Sequence, residues 1–253
     1  IGVLDDQSFT SYIYDKNGDL LMEYRDFENR DWVEYEEMPE MMVNAVVAVE
    51  DVRFFEHEGV DLKRIVGSFM QNMTSDSVQG GSTITQQIIK NNVLSSERSY
   101  RRKIQEAYLA LKLEERLSKE KILEAYINGV DYGENNYGVS RAAQDYFRKD
   151  LNDLTIRECA LLAGVINNAT TYNPRKNYYD EKRLANGSKE RTDERTNHVL
   201  RKMFGAGFIT AEEYEAALHE ETAIEREKEP SLKSSHIDFI EFAIENVVDM
   251  YLK

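Results

Sequence analysis

From about residue 38 onward, apolar residues recur at helical rather than strand spacing. After Pro39, Met41, Met42, Ala45, Val46 and Val49 keep a helical stripe that leads into VEDVRFFEHEGVD. Residues 98–117, RSYRRKIQEAYLALKLEERL, read as one long amphipathic helix with Ile104, Tyr108 and Leu111 on its apolar stripe. Ser118 then caps KEKILEAYIN. Gly129, Gly133 and Gly138 mark residues 129–138 as an irregular connection, and helices resume at 139–148 and 155–166. YNPRKNYYD, around Pro174, reads as a loop. Residues 191–218 read as a helix, a glycine-containing turn and a second helix capped by Thr210.

The two ends of the chain look different. Residues 9–35 read as short strands, with SYIYDKNGDLLMEY folded as a hairpin around Asn17-Gly18. Residues 221–235 are polar and linker-like, and HIDFIEFAIENVVDMYL forms a last amphipathic helix. LKRIVGSFMQNM looks amphipathic through Phe69, Met70 and Met73, and TSDSVQGG behind it reads as a loop. The expectation is a mainly α protein in three parts: a β-rich linker at 1–37, the working domain at 38–220, and a C-terminal linker and helix at 221–253.

Composition narrows the classes. The 253 residues are 41% hydrophobic and 31% charged, as in an ordinary globular chain with a real core. A net charge of −15 argues against broad nucleic-acid binding and against simple adhesion to anionic lipid. Cations clustered in so acidic a chain are needed at one place. One cysteine, Cys159, excludes an internal disulfide framework. No signal peptide or spanning segment is visible. The chain opens on Ile1 rather than Met, so it reads as a trimmed piece from which any membrane anchor upstream would be missing.

Three stretches carry candidate chemistry. In GGSTITQQIIKN, residues 80–91, a glycine pair precedes Ser82, and Thr83, Gln87 and Lys90 share one helical face bordered by Gln86. The spacing is not that of a phosphate-cradling P-loop. In EDVRFFEHEGVD, residues 50–61, a carboxylate ends an apolar helix beside Phe54 and Phe55. That placement suits a general base, because partial desolvation raises the pKa of a carboxyl. A zinc protease would need a second His where Asp61 stands, and four His with one Cys are too scattered for a zinc site. In RRKIQEA, residues 101–107, Arg102, Lys103 and Glu106 can form one mixed-charge patch. Ser118-x-x-Lys121 matches the S-x-x-K of penicillin-reactive enzymes but lacks S-D-N and K-T-G partners, so Ser118 is read as a cap.

Taken in order, these stretches resemble the peptidoglycan glycosyltransferase domain of glycosyltransferase family 51, found in class A penicillin-binding proteins and monofunctional transglycosylases. The first motif matches Glu50, Asp51, Phe54, His57 and Gly59. The second matches every fixed position from Gly80 to Asn91. The third matches Arg102, Lys103 and Glu106. SKEKILEAYINGVDYG resembles the fourth, and a fifth lies near ECALLAGVINNATTYNP. The chain departs from the pattern at INNAT, where a Pro-containing segment is usual, and at Asp131, where an aromatic or His is common.

The resemblance implies a mainly α fold with a lysozyme-like larger lobe and a smaller membrane-facing jaw at about 60–80. It implies lipid II as substrate, with inversion, β-1,4-linked glycan as product and polyprenyl pyrophosphate released. Glu50 would be the base. Lys90, Arg98, Arg102 and Lys103 would clamp pyrophosphate, and Glu106, the second catalytic carboxylate, would orient them or help hold a Mg²⁺ or Mn²⁺ ion. Asp51, Phe54, His57, Ser82, Thr83, Gln86, Gln87 and Asn91 would complete the substrate site. No organic cofactor is implied. The implied partners are lipid II, the growing glycan chain, the outer face of the bacterial cytoplasmic membrane and a fused transpeptidase domain; moenomycin would be an inhibitor. The competing readings are a lysozyme-like muramidase or lytic transglycosylase, and a non-catalytic glycan-binding module.

Overall fold

The computed structural model describes residues 10–14, 20–25, 32–65, 81–92 and 99–228. Gly80, Arg98, most of the expected jaw, the Asn17-Gly18 turn and the expected C-terminal helix lie outside the described residues. Strands β1 (Thr10–Tyr14) and β2 (Leu20–Arg25) pair antiparallel, with Thr10 opposite Arg25 and an irregularity at Tyr14.

The core is a helical triad. α1 (Glu40–Glu50) follows Pro39 and buries Met42, Val43, Ala45, Val46, Val47 and Ala48. It packs against α6 (Ile156–Ile166) and α9 (Ser188–Gly205), which also pack on each other. An apolar surface around most of its circumference marks α1 as a central helix rather than a surface one. On one side of the triad, α2 (Ile84–Asn92) lies against α3 (Tyr100–Glu114) and α4 (Lys119–Gly129). α5 (Val139–Phe147), α7 (Pro174–Tyr179), α8 (Glu181–Ala185) and α10 (Ala211–His219) complete the described helices.

Helix boundaries follow side-chain capping. Ser118 accepts the Lys121 N–H at 3.3 Å, and Thr210 and Glu213 form a capping box, as expected at both positions. Thr155 and Glu158 form another. α9 ends where Gly207 takes a positive φ of 77° and Phe208 N–H reaches back to the Met203 carbonyl at 2.9 Å.

Three expectations are corrected. The loop expected around Pro174 is helix α7: Asn173 caps it by accepting the Lys176 N–H, and Pro174 sits at the first helical position, where its missing N–H costs nothing. The apolar stripe of α3 stays outside the core, with Ile104 71% and Tyr108 58% exposed. The inward face of α3 carries Glu106 and Ala110 instead, because Gly59 packs against the Ala110 backbone. The start of the linker-like stretch is pinned. Ile224 enters the core, Glu225 N–H donates to the Tyr146 carbonyl at 2.8 Å, and Arg157 Nε donates to Thr222 Oγ1 at 2.8 Å.

Candidate active site

Glu50 is the last residue of α1 and is largely buried. Its carboxylate Oε2 accepts from Gln87 Nε2 at 2.8 Å, and Gln87 Oε1 accepts from the Tyr126 hydroxyl at 2.9 Å. Arg195 of α9 stands 3.9 Å from Glu50 Oε1, and Arg64 donates to the Glu50 backbone carbonyl at 2.5 Å. Four separate segments thus converge on one acid. Arg195 also lines an open hollow of about 770 Å³ together with Tyr172, His198 and Arg201. Burial first, then the cations Arg195, Lys202 and Arg201, lower the pKa of His198.

The first and second motifs are tied together by Asp51, which is 1% exposed. Its Oδ2 accepts from His57 Nε2 at 2.9 Å and from the Ile84 N–H at 3.1 Å, so this carboxylate caps the start of α2. Thr83 and Gln86 close the same helix end: Gln86 N–H donates to Thr83 Oγ1 at 3.1 Å, and Thr83 N–H donates to Gln86 Oε1 at 3.0 Å. Thr83 Oγ1 itself donates to the Gly59 carbonyl at 2.6 Å. Gly59 has a φ of 81°, and a Cβ there would sit 2.6 Å from the Ala110 carbonyl oxygen. Only glycine satisfies both constraints.

The polar face expected to line a substrate slot therefore divides. Thr83, Gln86, Asp51 and Phe54 face inward and bind the motifs to one another. Phe54 is fully buried beneath the Lys119 ammonium, 4.3 Å from its ring centre, and packs edge-on to Phe55 and His57. These four residues shape the site rather than surface it: Thr83, Gln86 and Asp51 Oδ2 are taken up by protein partners, Asp51 Oδ1 is buried 3.7 Å from Arg64 without a hydrogen bond, and the phenyl ring has no exposed face. Gln87 turns to Glu50, while Lys90 and Asn91 are exposed at the far end of α2.

The third motif meets the second at Ser82. Lys103 Nζ donates to Ser82 Oγ at 2.8 Å and pairs with Glu106, which is 1% exposed. Glu106 is therefore linked to Ser82 through Lys103. Arg102 is half-buried, and its Nε is buried without a hydrogen-bond partner. Among the described residues no three His, Cys, Asp or Glu side chains gather to hold a metal ion. Glu106 is one carboxylate already neutralised by an ammonium, which does not fit a protein-built metal centre. Cys159 is buried, and burial pushes its thiol up to about 12, which leaves it unreactive.

Sequence reasoning missed Tyr126 and Arg195. Tyr126 sits on the buried stripe of α4, and the one available hint was that a core phenol needs a hydrogen-bond partner. Arg195 lies in a charge-rich helix where nothing local distinguishes it.

A buried carboxylate is thus set beside a helix that carries Lys90 at its exposed end, and comparison with known proteins supplies the class. The chain matches the family model described as Transglycosylase over residues 17–204, and it belongs to that family. It is 44% identical over 218 residues to Penicillin-binding protein 1A of Clostridium perfringens strain 13, covering 83% of this chain and 31% of that protein. It is 40% identical over 249 residues to Penicillin-binding protein 1A of Clostridium botulinum strain Langeland, covering 94% of this chain and 29% of that one. Penicillin-binding protein 1A/1B of Bacillus subtilis is 39% identical over 211 residues, covering 83% of this chain and 22% of that protein. The chain spans less than a third of the length of these relatives.

Proposed function

We propose that the chain is the peptidoglycan glycosyltransferase part of a class A penicillin-binding protein, polymerising lipid II into β-1,4-linked glycan. Glu50 takes the proton from the 4-hydroxyl of the acceptor GlcNAc. The freed oxygen attacks the anomeric carbon of the lipid-linked MurNAc from the face opposite the leaving group, so configuration inverts. The bond to pyrophosphate breaks, and its electron pair leaves on a phosphate oxygen. That departure needs charge neutralisation more than acid help, and Lys90, Arg98, Arg102 and Lys103 supply it. Glu106 and Ser82 hold Lys103 in place. A divalent ion would be carried by the substrate's pyrophosphate rather than by a protein-built centre, and no step above passes through it.

One observation carries this reading: Gln87 binds Glu50 at 2.8 Å, and Lys90 stands one helical turn further along α2. The acid and the first cation share one rigid ruler. A muramidase has no use for cations aimed at pyrophosphate. Exposed Val52, Phe55, Leu62 and Ile65 beside the start of the expected jaw support contact with membrane and lipid tail. No helix among the described residues is long and apolar enough to cross a membrane. An upstream spanning helix, placement on the outer face of the cytoplasmic membrane, division at about residues 37 and 220, and a following transpeptidase domain are parts of the same proposal.

The test is incubation with purified lipid II, with and without moenomycin. The expected product is moenomycin-sensitive polymer from wild type and none from Glu50→Gln. Shortened glycan from preformed polymer would point to a hydrolase, and binding indifferent to Glu50→Gln without any turnover would point to a binding module.

A further inference from the structure

The two oxygens of Glu50 have different surroundings. Oε2 is tied to the Gln87 amide at 2.8 Å, on the side of α2 and α4. Oε1 faces Arg195 at 3.9 Å, beyond hydrogen-bonding distance, on the side where Arg195 lines the open hollow. An amide can turn either end toward a carboxylate, and only its NH₂ end attracts. The Tyr126 hydroxyl, donating to Gln87 Oε1 at 2.9 Å, selects that end. Tyr126 is 2% exposed. Burial, then the charge of Glu50, raise its phenol well above the usual value, so it stays a donor across the working pH range.

We infer that Tyr126 is a positioning residue acting through Gln87: it locks the amide, which ties up Oε2 and leaves Oε1 as the oxygen that takes the acceptor's proton. This rests on the glycosyl-transfer reading above. The acceptor O–H bond breaks and its proton bonds to Oε1. The acceptor oxygen bonds to the anomeric carbon, and the pyrophosphate leaves with the electron pair of the old bond. Among the described residues, the charged and titratable groups placed against Glu50 are Arg195 from α9, 3.9 Å from Oε1, Arg64 at its backbone carbonyl, and Tyr126 from α4, whose phenol feels the charge of Glu50.

Tyr126→Phe in the intact protein keeps the ring and deletes the hydroxyl. The expected result is about a tenfold fall in kcat for lipid II polymerisation, with KM little changed. Gln87→Leu should give at least as large a change, and the double variant should be no worse than Gln87→Leu alone, since the hydroxyl acts through the amide. A folded Tyr126→Phe enzyme with wild-type kcat would overturn the inference. So would losses that multiply in the double variant, or a loss that appears in KM rather than in kcat. An active Glu50→Gln variant, or a wild type that makes no polymer, would instead overturn the glycosyltransferase reading itself.

Discussion

The acid side of the site and the cation side are built differently. Glu50 ends the central helix of the core, and α2, α4, α9 and the segment after α1 all reach it. Lys103 is 48% exposed and held by Ser82 and Glu106, while Lys90 stands exposed on the last turns of α2. In the proposed reaction a proton must be taken from one position, which suits a group in close-packed surroundings that transmit little motion. In the same proposal pyrophosphate carries several oxygens in several orientations, which suits long, half-solvated cations that can follow it.

The sharpest way to break this contrast is Glu50→Gln. The near-isosteric amide keeps the packing and removes the base, so turnover should fall by about 10²–10⁴. The melting curve should stay near wild type. Lys103→Ala tests the other side and should lower kcat/KM by about 10², the scale of losing one preorganised charge partner. Lys103→Arg should restore part of it, since a mobile site tolerates a different cation; equal losses in both would mean that the cation side is as rigid as the acid side. Gly59→Ala probes the joint between the two. It meets both a positive φ and the Ala110 carbonyl, so denaturant unfolding should show a loss of about 1–3 kcal/mol. Smallest is Thr83→Val, which removes the cap of α2 and should cost about 1 kcal/mol.

Much of the fold could be read along the chain. Helix stripes, the caps at Ser118 and Thr210, and the glycine turn after α9 are local, so neighbouring residues carry the signal. α7 was missed because Asn173-Pro174 can begin a helix as readily as it bends a loop, and the choice was settled by burial of Arg175 and Asn177. The stripe of α3 was legible as a stripe, yet an apolar stripe does not say whether protein or something else covers it.

The site divides along the same line. Motif order and the family resemblance proposed Glu50, Lys90, Lys103 and Glu106, because residue type and short helical offsets specify what one element can present. They could not say that Thr83 and Gln86 face inward as a cap, or that Asp51 is spent on α2. Nor could they say that Tyr126 bonds to Gln87 behind one oxygen of Glu50 while Arg195 stands 3.9 Å from the other. Most of those facts depend on contacts between residues far apart in the chain, such as Asp51 with Ile84, 33 positions apart, and Gln87 with Glu50, 37 positions apart. Such contacts exist only after the helices have packed, since burial area and volume, rather than local backbone preference, choose which faces meet.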